Sequence, residues 1–78
     1  MDIKIVRIEQ ISDAIERWTI SLPKKNFRDF GFMLEALDGV GLHRRSFEAE
    51  NLMEVDVAIG MKDELIALLH DLKDFDWT

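Results

Sequence analysis

Two histidines, three serines and a scatter of carboxylates are the side chains in this sequence whose types could do chemistry. His43 beside Asp56 would make an acid–base pair, and adding His70 would suggest a metal site. A zinc site takes three or four convergent ligands, and two histidines on different elements of a chain without cysteine fall short of that. His43 therefore reads as a charge partner on the wet face of a strand, and His70 as a surface or boundary residue of a helix. Ser12, Ser21 and Ser46 lack a base at hydrolase spacing, and Gly39-Val40-Gly41 is too short for a phosphate loop. The expectation is a noncatalytic chain with no metal and no cofactor.

The 78 residues make one domain, residues 1–78, with a small core. Apolar residues make up 47% of it, with four glycines and one proline, which is a globular composition. A small domain without disulfides gains stability by oligomerising. The stretch Met1 to Ser12 mixes Asp2, Lys4, Arg7 and Glu9 with aliphatics, so it does not read as a signal peptide, and no apolar run reaches spanning length. A cytoplasmic protein is expected, with no membrane partner. Residues 1–45 hold eight Lys/Arg against seven Asp/Glu, whereas residues 46–78 hold two against nine. The second half would repel a phosphate backbone, so nucleic acid is not expected either. Lys24, Lys25 and Arg28 read as a solvated helix entrance.

The elements that must position these residues hang on Leu52 to Gly60. Met53, Val55, Val57 and Ile59 alternate there with Leu52, Glu54 and Asp56, the period of a half-buried strand. Ile3 to Ile8 reads as a first strand, and Ala14 to Ser21 as a second, in which Trp18 and Ile20 alternate with Arg17 and Thr19. Asn26 is placed to cap a helix over 27–38 that Gly39 would stop; Phe27, Phe30, Met33, Leu34 and Leu37 share its inner face while Phe32 projects outward. Val40 to Phe47 is a strand joined to the next through Glu48-Ala49-Glu50-Asn51. Pairing Phe47 with Leu52 puts Arg45 opposite Glu54 and His43 opposite Asp56 on the wet face, with Val40, Leu42, Arg44 and Ser46 on the core side. A second helix runs over 61–73, and the tail Asp74 to Thr78 reads as a final edge strand or an aromatic clasp.

Strand, strand, helix, strand, strand, helix is an α+β order. From Ala14 onward it is the split βαβ pattern of ferredoxin-like folds (βαββα, with a possible short final strand), an antiparallel sheet with both helices on one face and an extra N-terminal strand. The run Asp29-Phe30-Gly31-Phe32-Met33-Leu34-Glu35-Ala36-Leu37-Asp38-Gly39-Val40, with the hairpin to Gly60, resembles a group of small uncharacterised bacterial domains with an ACT-like sheet. The resemblance spans Trp18 to Lys73. ACT-like domains imply dimers that bind small ligands, often amino acids, at a subunit boundary near the turn that is Leu22-Pro23-Lys24-Lys25-Asn26 here. The glycine usual in that turn is absent.

The remaining surface is the open sheet face. His43, Arg45, Phe47, Leu52, Glu54 and Asp56 are its candidate interaction residues, with Trp18 or its strand neighbours beside them, and Phe32, on the outer side of the first helix, is a further candidate contact. The leading expectation is a homodimeric interaction or assembly domain. The alternatives are an ACT-like amino-acid sensor and a chaperone that adds a peptide to its sheet edge.

Overall fold

The chain's computed structural model describes residues 2–37 and 40–73. Within them the alternating segments become strands β1 (Lys4–Gln10), β2 (Ile15–Ser21), β3 (Val40–Arg45) and β4 (Leu52–Ala58), and the segments of helical period become α1 (Phe27–Glu35) and α2 (Lys62–Lys73). The sheet order is β1-β2-β4-β3 with every neighbouring pair antiparallel. β2 and β3 thus run in the same direction on either side of β4, with α1 as the crossover between them. This is an α+β architecture compatible with a ferredoxin-like fold, and β1 adds an edge outside β2.

Alternation chooses the faces. Trp18 and Ile20 of β2 share one side with Met53, Val55 and Val57 of β4, and on that side they pack with Phe27, Phe30 and Leu34 of α1 and Leu65, Leu69 and Leu72 of α2. Both helices therefore cover the same face. Each supplies apolar residues three or four apart, the spacing of a single stripe. Arg17 and Thr19, with Glu54 and Asp56, point to the other, open face. Trp18 itself is only 1% exposed, so it belongs to the core and not to the open surface; its neighbours Arg17 and Thr19 take that place.

The ends of the elements differ from the sequence expectation for local reasons. Ser12 organises the β1–β2 hairpin: its hydroxyl accepts hydrogen bonds from the Ala14 and Ile15 N–H groups at 3.3 and 3.1 Å, closing the turn by side chain. Asn26 makes no side-chain cap. It lies in a 3-10 turn, Lys24–Asn26, that leads straight into α1, so its backbone is already helical. β4 stops at Ala58, and Ile59–Met61 forms a second 3-10 turn before α2. The helix stop assigned to Gly39 and the tail assigned to Asp74–Thr78 lie outside the described residues. No helix among the described residues is long and apolar enough to cross a membrane.

The register of β3 on β4 requires a correction. Arg45 lies opposite Met53, Arg44 opposite Glu54, His43 opposite Val55 and Leu42 opposite Asp56, and a bulge at Gly41 then brings Val40 opposite Val57. Against the expected register, residues 42–45 slip by one and change face. The hairpin sets this slip. Ser46, not Phe47, pairs with Leu52, its N–H donating to the Leu52 carbonyl at 2.9 Å, while its buried hydroxyl accepts the Glu48 N–H at 3.1 Å. Phe47 is left in the connection, 100% exposed.

Candidate functional site

The corrected register divides the expected interaction set between two sides of the sheet. Leu52, Glu54 and Asp56 stay on the open face; His43 and Arg45 turn to the helix side. His43 is half-buried under α1, where Gly31 leaves room for its ring, and its Nε2 lies 3.6 Å from Glu35. It is opposite Val55 and so does not meet Asp56, which removes the acid–base pair. Arg45 lays its guanidinium 5.5 Å from the centre of the Phe27 ring, a cation–π contact at the edge of the core. Phe32 is 59% exposed on the outer side of α1, with Arg28, one turn earlier, 5.8 Å from its ring centre. His70 is exposed on α2, and among the described residues no group of three or more His, Asp or Glu gathers as a metal site would need.

The contact between His43 and Gly31 can be tested directly. A Cβ added at Gly31 would come within 3.0 Å of the His43 ring. Alanine in a helix interior is otherwise worth about 0.8–1 kcal/mol over glycine. Gly31→Ala is therefore expected to stabilise a His43→Ala background by about that amount and wild type by clearly less, read from urea midpoints in a double-mutant cycle.

On the open face, charge is paired across strands. Arg17 donates from Nε and a terminal nitrogen to the two Asp56 oxygens at 2.8 and 3.2 Å, a two-pronged contact between directly opposed residues of β2 and β4. Arg44 donates to Glu54 at 2.9 Å, again between opposed residues. Arg7 reaches from β1 to Glu9 and to Glu48 of the β3–β4 connection, both at 2.6 Å, and lies over buried Thr19 at 3.5 Å. These partners hold the Arg7 and Arg17 guanidinium pKa values above their ordinary value, Arg7 mainly through its hydrogen bond to Glu48 and Arg17 through that to Asp56. A face whose cations and anions are matched this way is closed electrostatically. Arg17 was findable in sequence by setting Trp18 against Val55, which places it opposite Asp56.

The open face also exposes Leu42 and Ile15, 47% and 37%, but the longest run of exposed apolar residues lies at β1. All seven residues of this edge strand are exposed, and Ile5, Val6 and Ile8 are 45%, 53% and 46% so. Beside it, a groove of about 390 Å³ runs between β1 and α2, lined by Ile3, Ile5, Ile66, Leu69, His70 and Lys73. A second hollow of about 390 Å³ opens at the entrance to α1, lined by Lys24, Arg45, Ser46, Phe47, Ala49 and Glu50. The sequence signal for the first was the aliphatic density of Ile3 to Ile8, read there only as a strand.

No protein-family model, curated protein or solved structure matches the chain.

Proposed function

We propose that the chain is a noncatalytic, cytoplasmic interaction or assembly domain that works as a homodimer. The observation that carries this is the exposed apolar edge of β1, where Ile5 and Ile8 lie on the helix side, Ile5 lining the groove beside Ile66, and Val6 stands exposed at the bulge between them. Apolar side chains gathered on an edge strand are a hazard to a monomer and an asset to an assembly. The ion-paired open face supports the same reading, since its arginines and carboxylates already answer one another. Light scattering over a hundredfold range of concentration is expected to give twice the chain mass at the upper end. A mass of one chain throughout would end the homodimer reading.

The hollow at the α1 entrance favours a second reading, an ACT-like sensor of an amino-acid-type ligand. Lys24 and Arg45 stand there as cations for a carboxylate, and Glu50 as an anion for an amine. Lys24 and Glu50 approach only to 4.0 Å, and Arg45 has no carboxylate partner among the described residues. On this reading, a thermal-shift screen with free amino acids raises the melting temperature, and Arg45→Ala abolishes the rise. The homodimer reading alone expects no shift.

A further inference from the structure

We infer that two copies of this chain pair antiparallel along β1 in a single register, with Ile5 of each opposite Ile8 of the other and Lys4 opposite Glu9. The inference rests on the homodimer reading and names its surface. Three observations carry it.

First, the charge at the middle of the edge is drawn off it. Edge strands are commonly protected by a charged side chain that stands over the open edge. Arg7, in the middle of β1, instead divides its guanidinium between Glu9 of its own strand and Glu48 and Thr19 across the sheet. Lys4 has no ion partner among the described residues.

Second, β1 has a bulge at Val6, which makes its facing pattern symmetric. Ile5 pairs with Ile20 and Ile8 with Trp18, both on the helix side; Lys4 pairs with Ser21, Arg7 with Thr19 and Glu9 with Arg17, all on the open side. Val6 is the extra residue, and shares with Arg7 the place opposite Thr19. Read outward from the Val6–Arg7 bond, the two halves of the strand present the same sequence of faces: open, helix side, open. A strand with that property can meet a second copy of itself with every face matched.

Third, one register matches the faces at every pair from Lys4 to Glu9, and its one-residue neighbours do not. With the two-fold axis at the Val6–Arg7 bond, Ile5 meets Ile8, Lys4 meets Glu9, and Val6 meets Arg7. Shifting by one residue one way sets Arg7 against Arg7 and Ile5 against Glu9; the other way sets Ile5 against Arg7 and Lys4 against Ile8. Each shift crosses faces, and the first also opposes like charges. Antiparallel pairing of identical strands has its two-fold axis normal to the sheet, so both copies keep their helices on the same side. The two α2 helices then flank the axis and cover Ile66, which is 46% exposed in the single chain.

The test exploits the absence of cysteine in the chain. Ile5→Cys and Ile8→Cys proteins, mixed under mild oxidation, are expected to form a disulfide-linked dimer, while each alone stays uncoupled, because only unlike positions face each other. Lys4→Glu is expected to weaken dimerisation about tenfold by setting like charges at both ends of the interface, and Lys4→Glu with Glu9→Lys to restore it to within about threefold. A wild-type dimer with no coupling in the mixture, or with Ile5→Cys coupling to itself, overturns this interface and leaves the homodimer reading standing. A wild-type monomer overturns both. Coupling that appears only after truncation at Lys73 would assign the edge to residues 74–78 of the same chain, and overturns the pairing as well.

Discussion

Trp18→Ala is expected to bring the domain to the edge of unfolding at 25 °C. Trp18 stands on β2 between Ile8 of β1 and Val55 of β4, on the face that both helices cover, and is 1% exposed. Truncating a buried aromatic to alanine costs about 3–5 kcal/mol, the lost transfer energy plus the cavity left behind. Domains hold roughly 0.05–0.15 kcal/mol per residue, so a chain of this length has about 4–12 kcal/mol in all. The loss is a large share of that total. Urea titration followed by far-UV circular dichroism should show the midpoint falling by at least about 2 M. Trp18→Phe, which keeps most of the volume, should lose less than half as much. Among the described residues its indole N–H donates to Glu16 of the same strand, at 3.3 Å, so the effect measured is packing and not a lost long-range hydrogen bond. An unchanged midpoint for the alanine variant would mean that the core is not centred on β2.

The core was legible because burial writes itself into period. Met53, Val55 and Val57 alternate with Glu54 and Asp56, and Trp18 and Ile20 with Arg17 and Thr19; the structure buries the first set of each in the core and turns the second to the open face, where Arg17, Glu54 and Asp56 are ion-paired across strands and Thr19 is buried beneath Arg7. The inner face of α1 was legible for the same reason, down to Phe32 on the outside. Both statements concern which side chains share a face, and side-chain type carries that information.

The candidate site was less legible, because its geometry is set by backbone irregularities that composition does not announce. Val6 and Gly41 are each an extra residue in a ladder, and each inverts the alternation beyond it. At β3 the hairpin hydrogen bonds of Ser46 released Phe47 from the ladder and moved His43 and Arg45 to the helix side. Polar residues are tolerated on that side because β3 is an edge: His43 reaches Glu35, and Arg45 rests on the Phe27 ring. One trace of this arrangement was in the sequence. A glycine inside a helix costs about 1 kcal/mol, and Gly31 marks the place where another side chain comes close.

The complementary large effect is expected at Val55→Asp, and its pH dependence distinguishes charge from shape. Val55 is fully buried on β4, one of the two inner strands, opposite Trp18 on one side and His43 on the other. A carboxylate there has no partner facing it on β2, and the His43 ring lies at the boundary, against Glu35. An uncompensated buried charge costs about 3–5 kcal/mol, and the group avoids part of that by staying protonated. Burial thus raises its folded-state pKa above the unfolded value of about 3.9. The sign follows from linkage: with the folded value the higher, the carboxyl's contribution is most favourable below the unfolded pKa and is lost as pH rises through the folded one. The gap in urea midpoint between this variant and wild type should therefore be smallest near pH 4 and widen toward pH 7. Glu54→Gln, one residue away on the open face, removes only a charge facing Arg44 and should cost under about 1 kcal/mol. If Val55→Asp shows a gap independent of pH, the residue is damaging by shape alone. If it is tolerated at pH 7, β4 does not present Val55 to the core, and the division of the sheet into a helix-covered face and an ion-paired face fails with it.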